Sequence, residues 1–288
     1  MAKELRAGIS FTGDQAQTVV VELHDRRVEL RHIEERTKES MLEYWFLDDL
    51  LSLEKKTLGK ISRVSVAMDN SEAFFHRFPI DSLLTQVEQN EHVRWELSHF
   101  IADYKPQEYI NDVHILRTHA RDHFLDILVA AVRRSFLFKL HEYLAEQNLN
   151  LQTVEANVFS VTHALLLAYP EVKTTAATMV GISNRRLDIG ILSNGRLTDY
   201  SYRKISPVEE AIGFLKESLE EANMQNIFLH GPSLTAEWMN SFRAAFGAKM
   251  MDLNPFRHMM VASSCQNFKQ FNGREHRFAA CVGSALRN

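Results

Sequence analysis

The sequence predicts an α/β chain of two lobes, with a mixed α+β insertion in the first lobe. Three observations carry that prediction. Residues 5–10, 18–23 and 28–33 are apolar runs separated by the turns Thr12-Gly13-Asp14 and His24-Asp25-Arg26, the pattern of an antiparallel meander. A second meander occupies residues 178–197, TMVGISNRRLDIGILSNGRL, in which Asn194-Gly195 is a strong hairpin signal. Between them, residues 72–156 read as strand, helix, strand, strand, helix, strand, an order able to close its own small core.

After the first meander, Ser40 opens a helical segment over residues 41–56, with Leu42, Trp45, Phe46, Leu50 and Leu53 at helical spacing, followed by a buried strand at 63–68. This order departs from simple alternation and predicts a sheet with an antiparallel edge. In the insertion, a strand at 74–78 leads through Pro79 and Asp81, read as caps, into a long helix ending near Ala102. Strands at 112–118 and 124–132 flank the polar turn HARDH, and a helix at 135–146 and a strand at 151–156 complete the module. Asn157 reads as the N-cap of a helix over 158–168 that stops before Pro170. Ser206-Pro207 starts a helix to about Ala222, with Glu209 and Glu210 in its first turn, where the helix dipole favours them. Residues 226–231 form a strand and loop, and Ser233 is expected to cap a helix over 234–246. A strand near 250–253 follows, and residues 274–286 make a closing helix with Phe278, Cys281, Val282 and Leu286 inward.

With 37 acidic and 33 basic residues and a net charge of -4, the chain lacks the basic footprint of nucleic-acid binding. Hydrophobic content of 45% and only 11 Gly and 6 Pro predict a chain folded throughout. The start, MAKELRAGIS, has no apolar h-region, and Cys265 and Cys281 lie far apart, so a reducing cytoplasm is expected. No window approaches the roughly 18 apolar residues of a membrane span, so any membrane role is expected to work through a partner.

Chemistry-bearing residues are sparse. Ser183 and Asn184, at the first turn of the second meander, have backbone donors able to cradle a phosphate, yet Gly181 stands where a phosphate or Mg²⁺ site wants a carboxylate. His119 and His123 read as a solvated turn rather than a metal pair, and His92 and His99 as surface residues without a third ligand. Cys265 and Cys281 read as inert thiols, and Arg133-Arg134 as a solvated pair rather than a contact for an acidic partner or lipid phosphate. Tyr44-Trp45-Phe46 is more apolar than one helix face requires; core packing and a partner groove both remain open.

Tandem sheets that each open on strand, loop, strand are the pattern of actin-like domains, which hold a nucleotide between their halves. The chain carries RFPID with the helix bearing VRWELSHFI, the run DILVAAVRRSFLFKLHEYLAEQNLNLQTVEANVFSVTHAL, and the tail segments IFLHGPSLTAEWMNSFRAAFG, LNPF and FAACVGSALR. In their order and spacing these segments resemble the type IV pilus assembly protein PilM family, related to FtsA and to the cytoplasmic domain of GspL. The resemblance implies an actin-like/ribonuclease H-like fold divided as 1–71 (1A-like), 72–156 (1C-like insertion), 157–173 (helix returning to the first lobe), 174–273 (2A-like, with a reduced 2B region around 206–223) and 274–288 (closing helix).

By the same resemblance, the vestigial nucleotide-loop positions are Ser10, Thr12 and Gly13 in the first loop, Gly181, Ser183 and Asn184 in the second, and Gly231 and Ser233 on the adenosine side. The departures fall on these positions. Ser10 and Gly181 stand where family members carry an acid, Asp188-Ile189-Gly190 reads as an out-of-register coincidence, and Pro232 removes a donor from the adenosine loop. The expectation is a pseudo-ATPase without catalytic residues or metal, with residual ATP/Mg binding left open. As a scaffold of a pilus or secretion platform, it would capture the cytoplasmic tail of a PilN-like single-span membrane protein in a groove between the first sheet and the insertion. Assembly ATPases and self-association are further expected contacts, at the cytoplasmic side of a bacterial inner membrane. The alternative is an ATP-binding protein or ATPase of the actin and sugar-kinase superfamily.

Overall fold

A computed structural model describes residues 4–24, 27–38, 45–53, 60–183, 186–205, 208–220, 226–247 and 250–287. Contacts divide the chain into two compact units, residues 70–143 and the remainder.

The larger unit contains two sheets. The first meander is β1 (Glu4–Thr12), β2 (Gln15–His24) and β3 (Arg27–Thr37). β4 (Ile61–Met68) then runs parallel to β1, giving the mixed sheet with an antiparallel side that the sequence predicts. β1 and β2 are buried on both faces along most of their length, whereas β3 lies nearer the edge and buries only Leu30 and Ile33. A six-stranded order results, β14-β3-β2-β1-β4-β8, with β8 (Leu151–Ala156) and β14 (Met260–Val261) at its edges. Two differences from expectation follow. β8, expected as the last strand of the insertion, pairs in parallel with β4, because Val154 and Ala156 continue the apolar face that β4 presents. β14 was too short for a periodicity signal.

The second meander is β9 (Ala176–Ser183), β10 (Arg186–Ser193) and β11 (Arg196–Lys204); with β12 (Ile227–His230) and β13 (Met250–Asp252) it makes a sheet ordered β11-β10-β9-β12-β13. Asn194 (φ 51°) and Gly195 (φ 72°) are both left-handed, the backbone that a two-residue hairpin of matching twist requires. One face of this sheet packs Val180, Ile182, Leu187, Ile189, Ile227 and Leu229 against the inner sides of two helices. Each such fully buried side chain stabilises the fold by about 1.5–3 kcal/mol relative to exposure.

Helices fill the rest. α1 (Asp48–Ser52) follows a 3-10 turn at Trp45–Leu47, and both are shorter than the helix expected over 41–56; Leu53, expected within it, ends α1 with extended backbone, and residues 41–44 and 54–56 lie outside those described. Trp45 and Phe46 belong to the core, Phe46 stacking on Phe11 with centroids 4.2 Å apart; Tyr44 lies outside the described residues. α4 (Asn157–Ala168), α5 (Val208–Glu220), α6 (Ala236–Phe246) and α7 (Ala279–Leu286) belong to this unit. Asn157 is the first helical residue rather than a cap, and Thr235, not Ser233, caps α6 by accepting from the Trp238 N–H at 3.3 Å. Ser206-Pro207 lies outside the described residues.

The smaller unit is a three-stranded antiparallel sheet, β5 (Phe74–Asp81), β7 (Phe124–Arg133) and β6 (Tyr109–His119), in the order β5-β7-β6. α2 (Gln86–Phe100) covers one face, seating Val93 and Leu97 against Phe78, Ile80, Ile127 and Val129. α3 (Arg134–Glu146) follows β7. The cap of α2 is a reciprocal box between Thr85 and Glu88; Pro79 instead sits within β5, and Asp81 accepts from the Leu83 N–H in the preceding turn.

Candidate functional site

In the larger unit, α4 and α7 cross closely. A Cβ at Gly283 would fall 1.8 Å from the Ser160 carbonyl oxygen, and one at Gly8 would fall 2.0 Å from that of Cys281. Both glycines are therefore required for contact, α7 lying on β1 and α4 on α7. The even positions of β1, Gly8 and Ser10, share this helix-facing side, as alternation along a strand demands.

Ser10 is buried and donates to Gln17 Oε1 at 3.0 Å; Gln17 Nε2 donates to Glu35 Oε1 at 3.1 Å. Arg277 completes the chain, its Nε 3.1 Å from Glu35 Oε1 and its Nη2 donating to Gln15 Oε1 at 2.8 Å. The first loop position thus feeds a side-chain relay that ends in a cation of the chain itself. Thr12 is buried beside the amide of Asn157 at the start of α4 (3.4 Å), and Gly13 (φ 59°) forms the exposed turn. With its nitrogen turned the other way, the Asn157 amide donates to the carbonyls of Ala67 and Met68 at 3.2 Å each. One strand over from Ser10, β4 leads to Asp69, a carboxyl only 1% exposed that the sequence reading passed over.

The second loop lies on the face of the β9 sheet opposite its helix-backed core, where Gly190 approaches Val158 of α4. Gly181 pairs with His230 on β12 and with Asp188 on β10. The His230 ring covers Gly181, so a Cβ there would lie 2.6 Å from Cε1. Complete burial pulls the His230 pKa down to about 3, with repulsion from His276 adding to it. His276, also buried and lowered by that burial, has Nε2 3.3 Å from the Leu234 carbonyl. Neutral imidazoles therefore occupy this region at neutral pH.

Asp188 lies on β10, one strand after Gly181, as the sequence reading has it. Ser183 of β9 pairs with Arg186 of β10, so residue 181 stands opposite residue 188, and that pairing brings the carboxylate onto the face of Gly181. There it is held by Arg186, whose Nε donates to Oδ1 at 2.9 Å, and by the Tyr200 hydroxyl, which also accepts from Arg186 Nη2 at 2.8 Å. All three side chains are buried, and the Arg186 guanidinium lies 3.8 Å from the Tyr202 ring centroid. Burial opposes the Arg186 charge, but Asp188 and Tyr200 outweigh it and raise the pKa; burial and the Asp188 charge push the Tyr200 phenol well up.

Gly231 (φ 111°) and Ser233 fold back on the end of β9. A Cβ at Gly231 would fall 2.3 Å from the Ile182 carbonyl oxygen, which accepts from Ser233 N–H at 3.3 Å, while Gly231 N–H donates to the His276 carbonyl at 3.2 Å. Gly181, Ser183, Gly231 and Ser233 are thus brought into one patch around Ile182, with Ser10 and Thr12 on the other sheet beside α7 and α4. Asn184 lies outside the described residues.

No protein-family model matches the chain, and no curated protein matches it. Solved structures do. One from the PilM-PilN type IV pilus biogenesis complex superimposes with a TM-score of 0.75 at 17% identity, covering 98% of each chain. A Bacteroides thetaiotaomicron protein with an actin-like ATPase fold and unknown function gives 0.54 at 13% identity over 93% of this chain and 94% of its own. The chain has the actin-like fold. The cytoplasmic domain of EpsL, an inner-membrane component of the Vibrio cholerae type II secretion system, gives 0.50 at 12% identity over 88% of this chain and 98% of its own. Ser10 and Gly181, the two positions read as lacking an acid, are both engaged by the chain's own side chains.

Other sequence candidates resolve locally. His119 stacks on Phe124, with ring centroids 4.0 Å apart. Arg133 and Arg134 lie over the Tyr109 and Phe138 rings, so they are exposed but packed. Both cysteines are buried free thiols whose pKa burial raises.

Proposed function

We propose that this chain is a non-catalytic, actin-like scaffold of a bacterial type IV pilus or type II secretion-like assembly platform, binding the cytoplasmic tail of a PilN-like membrane protein. The observation that carries the reading is the occupation of the second loop by His230 over Gly181 and by the Arg186–Asp188–Tyr200 cluster. A triphosphate bound there would have to displace a buried cation already paired to a carboxylate. The similarity to a PilM-PilN complex supports the choice of partner. No helix among the described residues is long and apolar enough to cross a membrane, in keeping with recruitment through that partner.

ATP binding is the second reading, favoured by two buried carboxyls, Asp69 at the end of β4 and Asp188 opposite Gly181. Thermal unfolding separates the two, because a ligand that binds only the native state raises Tm by mass action. A cytoplasmic-tail peptide of a PilN-like membrane protein is expected to raise Tm, and millimolar Mg-ATP to leave it unchanged. A clear Mg-ATP shift, lost in Asp69→Asn, would overturn the scaffold reading.

A further inference from the structure

Of the 13 exposed large hydrophobic side chains among the described residues, eight lie within residues 70–143: Leu83, Val87, Trp95, Phe100, Ile110, Val113, Ile115 and Phe138. Three of the eight sit on β6, which has β7 on one side and, among the described residues, no strand on the other. Its free edge is directed. Val113 N–H bonds the Asp112 carboxylate at 2.9 Å, so it points away from β7. By the two-residue period of a strand, Asn111 and Ile115 also direct their backbone groups outward. Their side chains share the α2 side of the sheet, where Asn111, Val113 and Ile115 border a groove of about 340 Å³ against Gln86, Gln89 and Asn90 of α2. The ladder with β7 shifts register between Ile115 and Arg117, so the regular edge is Tyr109 to Ile115. It carries no proline, and apart from Asp112 no charge guards it, the usual protections of an exposed edge.

We propose that this edge pairs with the same edge of a second copy, antiparallel about a two-fold axis at Val113, joining two three-stranded sheets into one of six strands. The second copy is favoured because the edge is self-complementary. Only registers that oppose odd with odd positions turn the outward groups into hydrogen-bonded pairs, and centring on Val113 uses all three, the Val113 N–H exchanging the Asp112 carboxylate for the second copy's carbonyl. Val113 then faces Val113 of the second copy, and Asn111 faces its Ile115. On the other side of the sheet Asp112 faces His114 of the second copy, twice over, an acid opposite a base. The axis is perpendicular to the sheet, so both α2 helices lie on one face and the two grooves meet over the apolar pair. A strand pair of this length makes a small interface, and association is concentration-dependent.

Sedimentation of the full chain over a wide concentration range tests the proposal. The weight-average mass is expected to rise from one chain towards two. Val113→Lys, which sets like charges across the axis, is expected to hold it at one chain without changing the thermal unfolding curve. Asp112→Lys should also weaken association, and Asp112→Lys with His114→Asp should restore it. Because both native cysteines are buried, Val113→Cys should form a disulfide-linked dimer under mild oxidation while Val87→Cys does not. A wild-type chain that stays monomeric throughout overturns the proposal and leaves the edge to a strand from another protein. A dimer indifferent to Val113→Lys, or no cross-link at Val113→Cys, overturns it in favour of another surface.

Discussion

The His230 imidazole lies on Gly181, with 2.6 Å from its Cε1 to the place a Cβ at residue 181 would take. Placing an acid there by Gly181→Asp therefore meets a ring, not a cavity. Overpacking of this kind costs about 1–3 kcal/mol, and a buried carboxylate adds to it. His230→Ala removes the obstacle, so the double variant should lose less than the sum of the single losses, with a coupling of about 0.5–3 kcal/mol. Urea midpoints of the four proteins measure it, and strict additivity would show that the two residues do not compete for the same space.

Burial of His230 makes stability depend on pH. Its folded pKa, about 3, lies below the ordinary histidine value of 6.5. Between these values the unfolded chain takes up a proton that the folded chain refuses. The contribution is therefore complete above about pH 6.5 and is lost as pH falls towards 3, by up to about 1.4 kcal/mol per unit. His276, lowered in the same direction by burial, adds to the slope. Denaturant titrations between pH 7 and 4 should show His230→Gln with a shallower decline than wild type; equal slopes would mean that His230 is hydrated in the folded state.

At Gly283 the obstacle is backbone. A Cβ would sit 1.8 Å from the Ser160 carbonyl oxygen, so Gly283→Ala must separate α4 from α7. A loss of about 3 kcal/mol or more is expected, at the large end of single substitutions. Ser160→Ala should give no rescue, because trimming that side chain leaves the carbonyl in place. Rescue in the melting temperature of the double variant would mean that side-chain atoms make the contact.

What was legible in the sequence follows the physics of each signal. Asn194-Gly195 announced its hairpin because only a left-handed pair suits that turn, and it has that backbone. Both meanders were legible from their apolar runs. β8 was assigned to the wrong sheet because pairing is non-local, and nothing within residues 151–156 says which strand they will join. Gly181 was read as a missing acid, although the occupant of its space comes from His230, 49 positions on, and the carboxylate from Asp188. The carboxylate comes from the neighbouring strand, through a register set where Ser183 meets Arg186.

The Arg186–Asp188–Tyr200 cluster gives the sharpest energetic test. Arg186 donates to both partners in a place where all three side chains are buried, and its charge is retained because Asp188 and Tyr200 outweigh the effect of burial. Asp188→Asn takes the Asp188 charge away from that buried guanidinium and should destabilise by about 3–5 kcal/mol. Removing both charges with Arg186→Met and Asp188→Leu should lose much less, because the desolvation of each ion disappears along with their attraction. Tyr200→Phe, which takes away one hydroxyl from the same guanidinium, should fall between them at about 1–3 kcal/mol. If Asp188→Asn proves as mild as the double apolar variant, water reaches Arg186, and the second loop is open enough for an anion to enter.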